Sequence, residues 1–221
     1  MEEPGLYCRE NALQVIYSSG DCDWVLRALH EADQSGRFHH SKLLTDGLLA
    51  FPGDQRQLAA ELWKDFEKFS TSMKVVVLDY IRFSDSDLRQ ELLRLLTDVH
   101  QDDELRFSCI RYFGRNHYEP AYPLLLDFVG HPRKRRWEYA AIAVLALAAY
   151  PGEHTVEVLK QALSDSNWYI RFNASKSLES FHLPYLEFSD IVEGGDRYAR
   201  EILQYRLDMK NAQNARKEAA I

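Results

Sequence analysis

The sequence has few cysteines, few prolines and no long apolar run. Its 221 residues include only three cysteines, Cys8, Cys22 and Cys109, and no Cys-x-x-Cys pair. An odd and sparse set excludes a disulfide-stapled secreted scaffold and fits a reducing compartment. The most apolar run, Tyr139 to Tyr150, spans 12 residues. A membrane-spanning helix needs about 20 such residues.

The first ten residues, MEEPGLYCRE, contain neither the basic segment nor the apolar segment of a signal peptide. These absences predict a soluble, cytoplasmic protein without membrane contact. The alternative, that the chain is the cytosolic part of a membrane-anchored protein, stays open. With 46% hydrophobic residues and only 7 prolines, the chain is long enough to bury one continuous core. We therefore expect a single domain over residues 1–221.

Acidic charge is concentrated in the first half of the chain. Residues 1–110 carry 12 Lys and Arg against 20 Asp and Glu, a net −8. Residues 111–221 carry 15 against 14, a net +1. Because nonspecific nucleic-acid binding relies on phosphate neutralisation by Lys and Arg, this balance disfavours a nucleic-acid partner.

A short template recurs six times, at intervals of 32 or 33 residues. In its last copy, Ile170 to Leu178, an apolar residue is followed by a basic residue, two variable positions, a small residue, three variable positions and a final apolar residue. The copies begin near positions 8, 41, 73, 105, 137 and 170. Apolar residues at offsets 0, 4 and 8 predict one stripe of an α-helix. The offset-4 residue, small in most copies, is expected to be buried against a neighbouring helix: Ala12, Thr45, Val77, Cys109, Ala141 and Ala174.

Second amphipathic helices are predicted between the templates, and turn residues such as Ser19-Gly20-Asp21, Pro52-Gly53-Asp54 and Pro151-Gly152 separate them. After residue 183 the pattern changes to a short helix, a break at Gly194-Gly195 and a long helix to about Lys210. This region, 183–210, is predicted to cap the repeats with a polar outer face. Residues 211–221 are expected to be a frayed tail.

The run Leu163-x-Asp165-x2-Trp168-x-Ile170-Arg171-x2-Ala174-x3-Leu178 resembles the HEAT-repeat signature, including its phycobilin-lyase-type form. The resemblance covers roughly residues 6–182. It implies an all-α, armadillo-like α-α superhelix, a solenoid of about six helix pairs plus the C-terminal cap. It also implies a concave surface lined by second helices, and a hydrogen-bonded ladder between repeats to which Asp165 and Arg171 belong.

No catalytic motif for a nucleophile, a phosphate or a dinucleotide occurs, and no cofactor or metal is predicted. HEAT-like di-iron hydroxylases hold their metals with four His-Glu pairs, whereas this chain has only His30-Glu31, interpreted as a chance exposed pair. His39-His40 has no nearby third ligand and is interpreted as loop. Cys8 and Cys109 are explained by packing.

Two groups of residues are candidates for partner binding. Arg133, Lys134, Arg135 and Arg136 precede Trp137, and Arg111 and Arg115 lie one repeat earlier. Together these cations predict a basic ridge for an anionic partner; a solvated helix start without a binding role is the open alternative. The second group consists of aromatics predicted in second helices or turns, which anchor interfaces when exposed: Trp63, Tyr118, Tyr122, Trp168 and Tyr169.

These features favour a noncatalytic, monomeric scaffold that binds a protein or peptide on a curved helical surface. The alternative is an enzyme on the same scaffold, either bilin lyase-like or nucleic-acid-modifying. A scaffold predicts scattered exposed aromatics and charges. An enzyme instead predicts a deep pocket with converging ionisable groups.

Overall fold

The computed structural model describes residues 12–36, 41–130 and 136–218, and these residues form helices and turns without a β-strand. The chain divides into two compact units, residues 1–112 and 113–221, so the single domain stays a prediction. The helices are α1 (12–18), α2 (Cys22–Ser35), α3 (Ser41–Leu49), α4 (Gln55–Lys64), α5 (Thr71–Ile81), α6 (Arg89–Thr97), α7 (Asp103–Phe113), α8 (Tyr122–Gly130), α9 (Trp137–Ala146), α10 (Glu153–Ala162), α11 (Trp168–Ser180), α12 (Ser189–Val192) and α13 (Arg197–Glu218).

The all-α class is confirmed for the described residues. Five templates coincide with the odd-numbered helices α3 to α11, and the described part of the first template lies in α1. The even-numbered helices α2 to α10 lie between them. Helix α13 continues to Glu218, beyond the predicted end near Lys210, and the fraying of the tail stays a prediction. Among the described helices, none combines the length and the apolar character that crossing a membrane requires.

In the first unit, α3 packs against α5, α2 against α4, and α4 against α5. Turn residues set the starts of two of these helices. The carboxylate of Asp21 accepts a hydrogen bond from the Trp24 amide, and that of Asp54 accepts from the Arg56 and Gln57 amides. These bonds satisfy amides that the first turn of a helix leaves without partners. The predicted turns therefore act as N-caps.

In the second unit, as in the first, template helices pack against each other and against the second helices that precede them. Helix α9 packs against α8 and α11, and α11 packs against α10 and α13. Small side chains let α9 and α11 approach closely enough for side chains of α11 to reach the backbone of α9. Asn173 Nδ2 donates to the Ala141 carbonyl at 2.8 Å, and Ser177 Oγ donates to the Val144 carbonyl at 2.7 Å. These bonds join residues 32 and 33 positions apart, which is one period of the template.

Five of the six offset-4 residues are buried as predicted: Thr45, Val77, Cys109, Ala141 and Ala174. Ala12 is exposed, so that part of the prediction is wrong. The reason is that α1 packs through Tyr17, near its C-terminal end. The ring of Tyr17 is 3% exposed and lies directly over Gly47 of α3, where no side chain intervenes.

The basic residue at offset 1 of the template contacts the end of the preceding second helix, or the segment just after it, in three copies. Arg106 Nε donates to the Leu96 carbonyl at 3.1 Å, Arg171 Nη1 donates to the Asp165 and Ser166 carbonyls, and Lys74 pairs with Glu67. Arg106 is stabilised there because the C-terminal carbonyls of α6 carry partial negative charge. The carboxylate of Asp165 instead accepts from the Asn167 amide. Arg171 therefore bonds to the backbone carbonyl of Asp165 and not to its carboxylate.

Asp79 of α5 is a half-buried carboxylate whose Oδ1 has no hydrogen-bond partner, although Arg82 Nη1 lies 3.7 Å away. Burial raises the pKa of Asp79, and the positive charges of Arg82 and Arg111 only partly oppose this effect. Between the ordinary aspartate pKa and the raised folded pKa, the folded state binds more protons than the unfolded state. Stability is therefore lost as pH rises through this window.

We accordingly expect Asp79→Asn to raise the free energy of unfolding at neutral pH, because the amide removes the cost of burying a charge. The gain should disappear below about pH 4, where both states are protonated. Urea denaturation across this pH range measures it. Asp46→Asn, on the exposed face of α3, is the control and should change stability by less than about 0.5 kcal/mol. A loss of stability in the Asp79 variant at neutral pH would contradict this account.

Candidate protein-binding surface

A row of four aromatic rings covers the N-terminal ends of α9 and α11 in the second unit. We call it the aromatic ladder and define it as Trp137, Tyr169, Trp168 and Phe172. Trp137 stacks on Tyr169 with ring centroids 5.2 Å apart and planes 18° apart. Tyr169 meets Trp168 edge to face at 5.2 Å, and Trp168 stacks on Phe172 at 4.8 Å. The rings are thus in continuous contact across two helices.

The first three rings of the ladder are open to solvent. Trp137 is 40% exposed, Trp168 50% and Tyr169 55%. Aromatic pairs at these separations are stabilised by about 0.5–1.5 kcal/mol beyond the area they bury. The contacts therefore hold large apolar surfaces in fixed positions in water. Such a surface costs little conformational entropy when a partner covers it.

Local helix geometry explains why these rings point outward. Ile170 is 2% exposed and belongs to the buried stripe of α11. Trp168 and Tyr169 precede it in the first helical turn, which the Asn167 side chain caps by accepting from the Tyr169 amide. Phe172 lies four positions after Trp168 and hence on the same helix face. The turn geometry, rather than the apolar stripe, places the ladder at the surface.

Two arginines lie over aromatic rings at the edge of this surface. The guanidinium of Arg206 is 4.2 Å from the centroid of Phe172, and that of Arg171 is 5.4 Å from the centroid of Tyr198. Tyr198 is itself 66% exposed. A groove of about 520 Å³ is lined by Trp137 and Ile170 and by polar side chains: Gln161, Ser164, Asp165, Ser166 and Asn167. The ladder is therefore an apolar surface with cationic and hydrogen-bonding margins.

No protein-family model matches this chain, and no curated protein matches it. The resemblance to HEAT repeats therefore rests on the residues and periods described above.

Three of the six residues of the predicted basic ridge, Arg133, Lys134 and Arg135, lie outside the described residues. Arg136 is described and occupies the N-cap position of α9 with its side chain 50% exposed. Its Nη2 donates to Glu138 Oε1 at 2.7 Å. Arg136 thus pairs with a carboxylate of its own helix.

Arg111 and Arg115, the other two residues of the predicted ridge, fall in different units. Arg111 is half-buried in the first unit, where its charge only partly opposes the rise in the pKa of Asp79 that burial causes. Arg115 is exposed in the second unit. Whether the ridge forms one surface stays a prediction.

The predicted aromatic residues separate into two groups. Trp168 and Tyr169 are exposed, but they begin α11, which carries a template, so their placement in a second helix or turn was wrong. Trp63, Tyr118 and Tyr122 are half-buried. Trp63 stacks on Phe66 at 4.7 Å.

Tyr118 and Tyr122 both pack around Tyr150. The Tyr150 hydroxyl is within 3.3 Å of the amide and the carbonyl of Tyr118, and Tyr122 stacks on the Tyr150 ring at 5.5 Å. Burial raises the pKa of Tyr150 to about 12. These tyrosines are part of the packing between α8 and α10, and partner binding by Tyr118 and Tyr122 stays a prediction.

Trp137 is the site residue that sequence reasoning missed. It was identified only as the offset-0 residue of an apolar helix stripe, the position that Ile170 holds in the next copy. A signal was available, because four cations precede Trp137 and a helix start rich in charge faces solvent. Its 40% exposure places Trp137 at the surface.

His30 is not the exposed residue that the sequence suggested. It is half-buried in α2, its Nε2 lies 2.7 Å from Asp65 Oδ2, and its ring stacks on Phe69 at 4.4 Å. Hydrogen bonds from Lys68 and His30 lower the pKa of Asp65. In the described ranges, no three His, Cys, Asp or Glu side chains are grouped as metal ligands would be. His39-His40 and Cys8 lie outside those ranges.

Proposed function

We propose that this chain is a noncatalytic helical-repeat scaffold that binds a protein or peptide partner through the aromatic ladder. The observation that carries the proposal is the continuous contact among the ladder rings, three of which are 40% to 55% exposed. A monomeric protein rarely keeps contiguous large apolar rings in water unless they serve recognition. Exposed Trp and Tyr side chains commonly carry most of an interface's binding energy.

Repeated local features support the helical-repeat part of the proposal. Helices recur at the period of the template, and within each unit a second helix packs against the next first helix. The turn after the first helix contains a residue with positive φ in three copies: Gly20, Asp85 and His182. Each repeat cannot bury its apolar face alone, and stacking of neighbours completes the core. A HEAT-like solenoid is the architecture that these features favour.

The rigidity of the ladder favours a partner that presents apolar or aromatic side chains. Its rings are held by one another and by Arg206, so few rotamers are lost on binding. The polar groove beside Trp137 supplies amide and hydroxyl groups that hydrogen-bond a peptide backbone. Such a site has a central apolar anchor and a polar rim, as protein interfaces do.

We predict that Trp168→Ala with Tyr169→Ala weakens partner binding by about 2 kcal/mol or more, roughly thirtyfold. Wild type and variant are immobilised, and the proteins that each captures from lysate are compared by quantitative mass spectrometry. A captured partner is then purified and its Kd measured with both proteins.

The matched control replaces two exposed apolar residues elsewhere in the same unit, Leu186→Ala with Tyr205→Ala, which are 82% and 52% exposed. Partners should be lost from the ladder variant and retained by the control. Equal capture of every protein by all three would contradict the proposal. Elemental analysis showing about one metal ion or more per chain would favour the enzyme alternative.

A further inference from the structure

A second groove lies in the second unit, away from the ladder residues. It has a volume of about 780 Å³ and runs between α10 and the segment from Ser180 to Glu187. Ala148, Val156, Phe181 and Leu183 give it an apolar floor. Val156, Phe181 and Leu183 are each only partly buried, so the floor is accessible to a guest side chain.

Carboxylates line both walls of this groove. Glu153 and Glu157 of α10 are exposed on one wall, four residues apart and hence on one helix face, and Glu187 is exposed on the other. Within the described ranges, Glu153 and Glu187 have no ion-pair partner, and Glu157 has only the His154 ring at 3.8 Å.

The single cation of the lining, Lys160, is already neutralised. Its Nζ lies 3.1 Å from Asp190 Oδ1. The groove therefore presents uncompensated negative charge around an apolar floor. Like charges facing each other across a gap repel, and a bound cation removes that repulsion.

A favourable interaction with a helix dipole explains the position of only one of these carboxylates. Glu153 is in the first turn of α10, where negative charge interacts favourably with the helix dipole. Glu157 lies a turn later and Glu187 belongs to a different segment, so the dipole of α10 does not explain them. Their common feature is the groove.

We infer that this groove binds a Lys- or Arg-rich amphipathic segment of a partner protein. Apolar side chains of the segment would cover Val156, Phe181 and Leu183, and its cations would pair with Glu153, Glu157 and Glu187. Helix-in-groove recognition combines an apolar stripe with flanking charges in this way. The negative charge around the groove repels anionic partners such as nucleic acids and acidic membranes. The inference does not depend on the aromatic ladder.

The probe is a fluorescein-labelled peptide of about 18 residues, five helical turns, with Leu at helical spacing and Lys elsewhere. A second peptide has Glu in place of every Lys. Binding is measured by fluorescence anisotropy at low salt and at about 150 mM salt. The variant Glu153→Gln/Glu157→Gln/Glu187→Gln should bind the Lys peptide about tenfold more weakly than wild type. The affinity of the wild type should fall with salt.

A control variant with the same net charge, Glu119→Gln/Glu201→Gln/Asp208→Asn, removes three exposed carboxylates elsewhere in this unit and should bind as wild type does. Trp168→Ala with Tyr169→Ala should also leave this binding intact, which separates the inference from the proposed function. Equal weakening in the control variant, or equal binding of the Glu peptide, would overturn the inference. Self-association of the chain that the groove variant abolishes would also overturn it, since the occupant would then be a second copy.

Discussion

Phe128→Ala is expected to lower the free energy of unfolding by about 3–5 kcal/mol. Phe128 of α8 is 1% exposed, and its ring stacks on Tyr139 of α9 with centroids 5.0 Å apart. Removing it takes away a large buried apolar surface and leaves a cavity between two packed helices. The loss is a large fraction of the total stability of a typical domain.

Urea denaturation followed by far-ultraviolet circular dichroism measures this loss. Leu186→Ala is the matched control, because it also truncates a large apolar side chain of the second unit, but one that is 82% exposed. We expect the control to change stability by less than about 0.5 kcal/mol. If the two variants were equally stable, the packing of α8 against α9 described here would be wrong.

Gly53→Ala is expected to cost about 1–3 kcal/mol through a steric clash. A Cβ atom at this position would lie 2.7 Å from the Gly20 carbonyl oxygen and 2.6 Å from ring carbons of Phe51. Both obstacles are hard to move, since one is backbone and Phe51 is 2% exposed. Gly20 itself has φ of 74°, a left-handed conformation that favours glycine.

Gly152→Ala is the control for this prediction. Gly152 is the N-cap residue of α10, and Gly53 precedes the N-cap residue of α4, but a Cβ atom at Gly152 meets nothing within 4 Å. Alanine at position 152 restricts the unfolded chain but is a weaker N-cap than glycine, so these effects oppose each other and stability should change by less than about 1 kcal/mol. Similar losses for both variants in thermal or urea unfolding would contradict the proposed close approach of the turns at Gly20 and Gly53.

The periodic features of the sequence predicted the helices well because helix formation depends on local spacing. Ile170, Ala174 and Leu178 recur at four-residue intervals and are all buried on one face of α11. Asp21 and Asp54 precede helices and cap them, as their side-chain chemistry favours. Polar contacts at one period, such as Ser177 to Val144, follow from the same repetition.

The candidate surface was predicted only in part. Trp168 and Tyr169 were identified as exposed aromatics, whereas Trp137 was identified only as a stripe residue of its template, at the position that Ile170 holds in the next copy. Identical positions in a repeat differ in exposure when the preceding turns differ. Trp137 directly follows Arg136, the N-cap residue of α9, whereas Ile170 lies three residues after Asn167, the N-cap residue of α11.

The sequence by itself determined the all-helical class, the positions of the helices and most of the residues that face inward. These properties depend on the spacing of apolar side chains and on capping groups within a few residues. Only the tertiary structure decided that Trp137 meets Tyr169, that His30 pairs with Asp65, and that Glu187 lies across a groove from Glu153 and Glu157. These pairs are 30 to 35 residues apart along the chain. Their distances depend on how helices pack, which a local pattern does not contain.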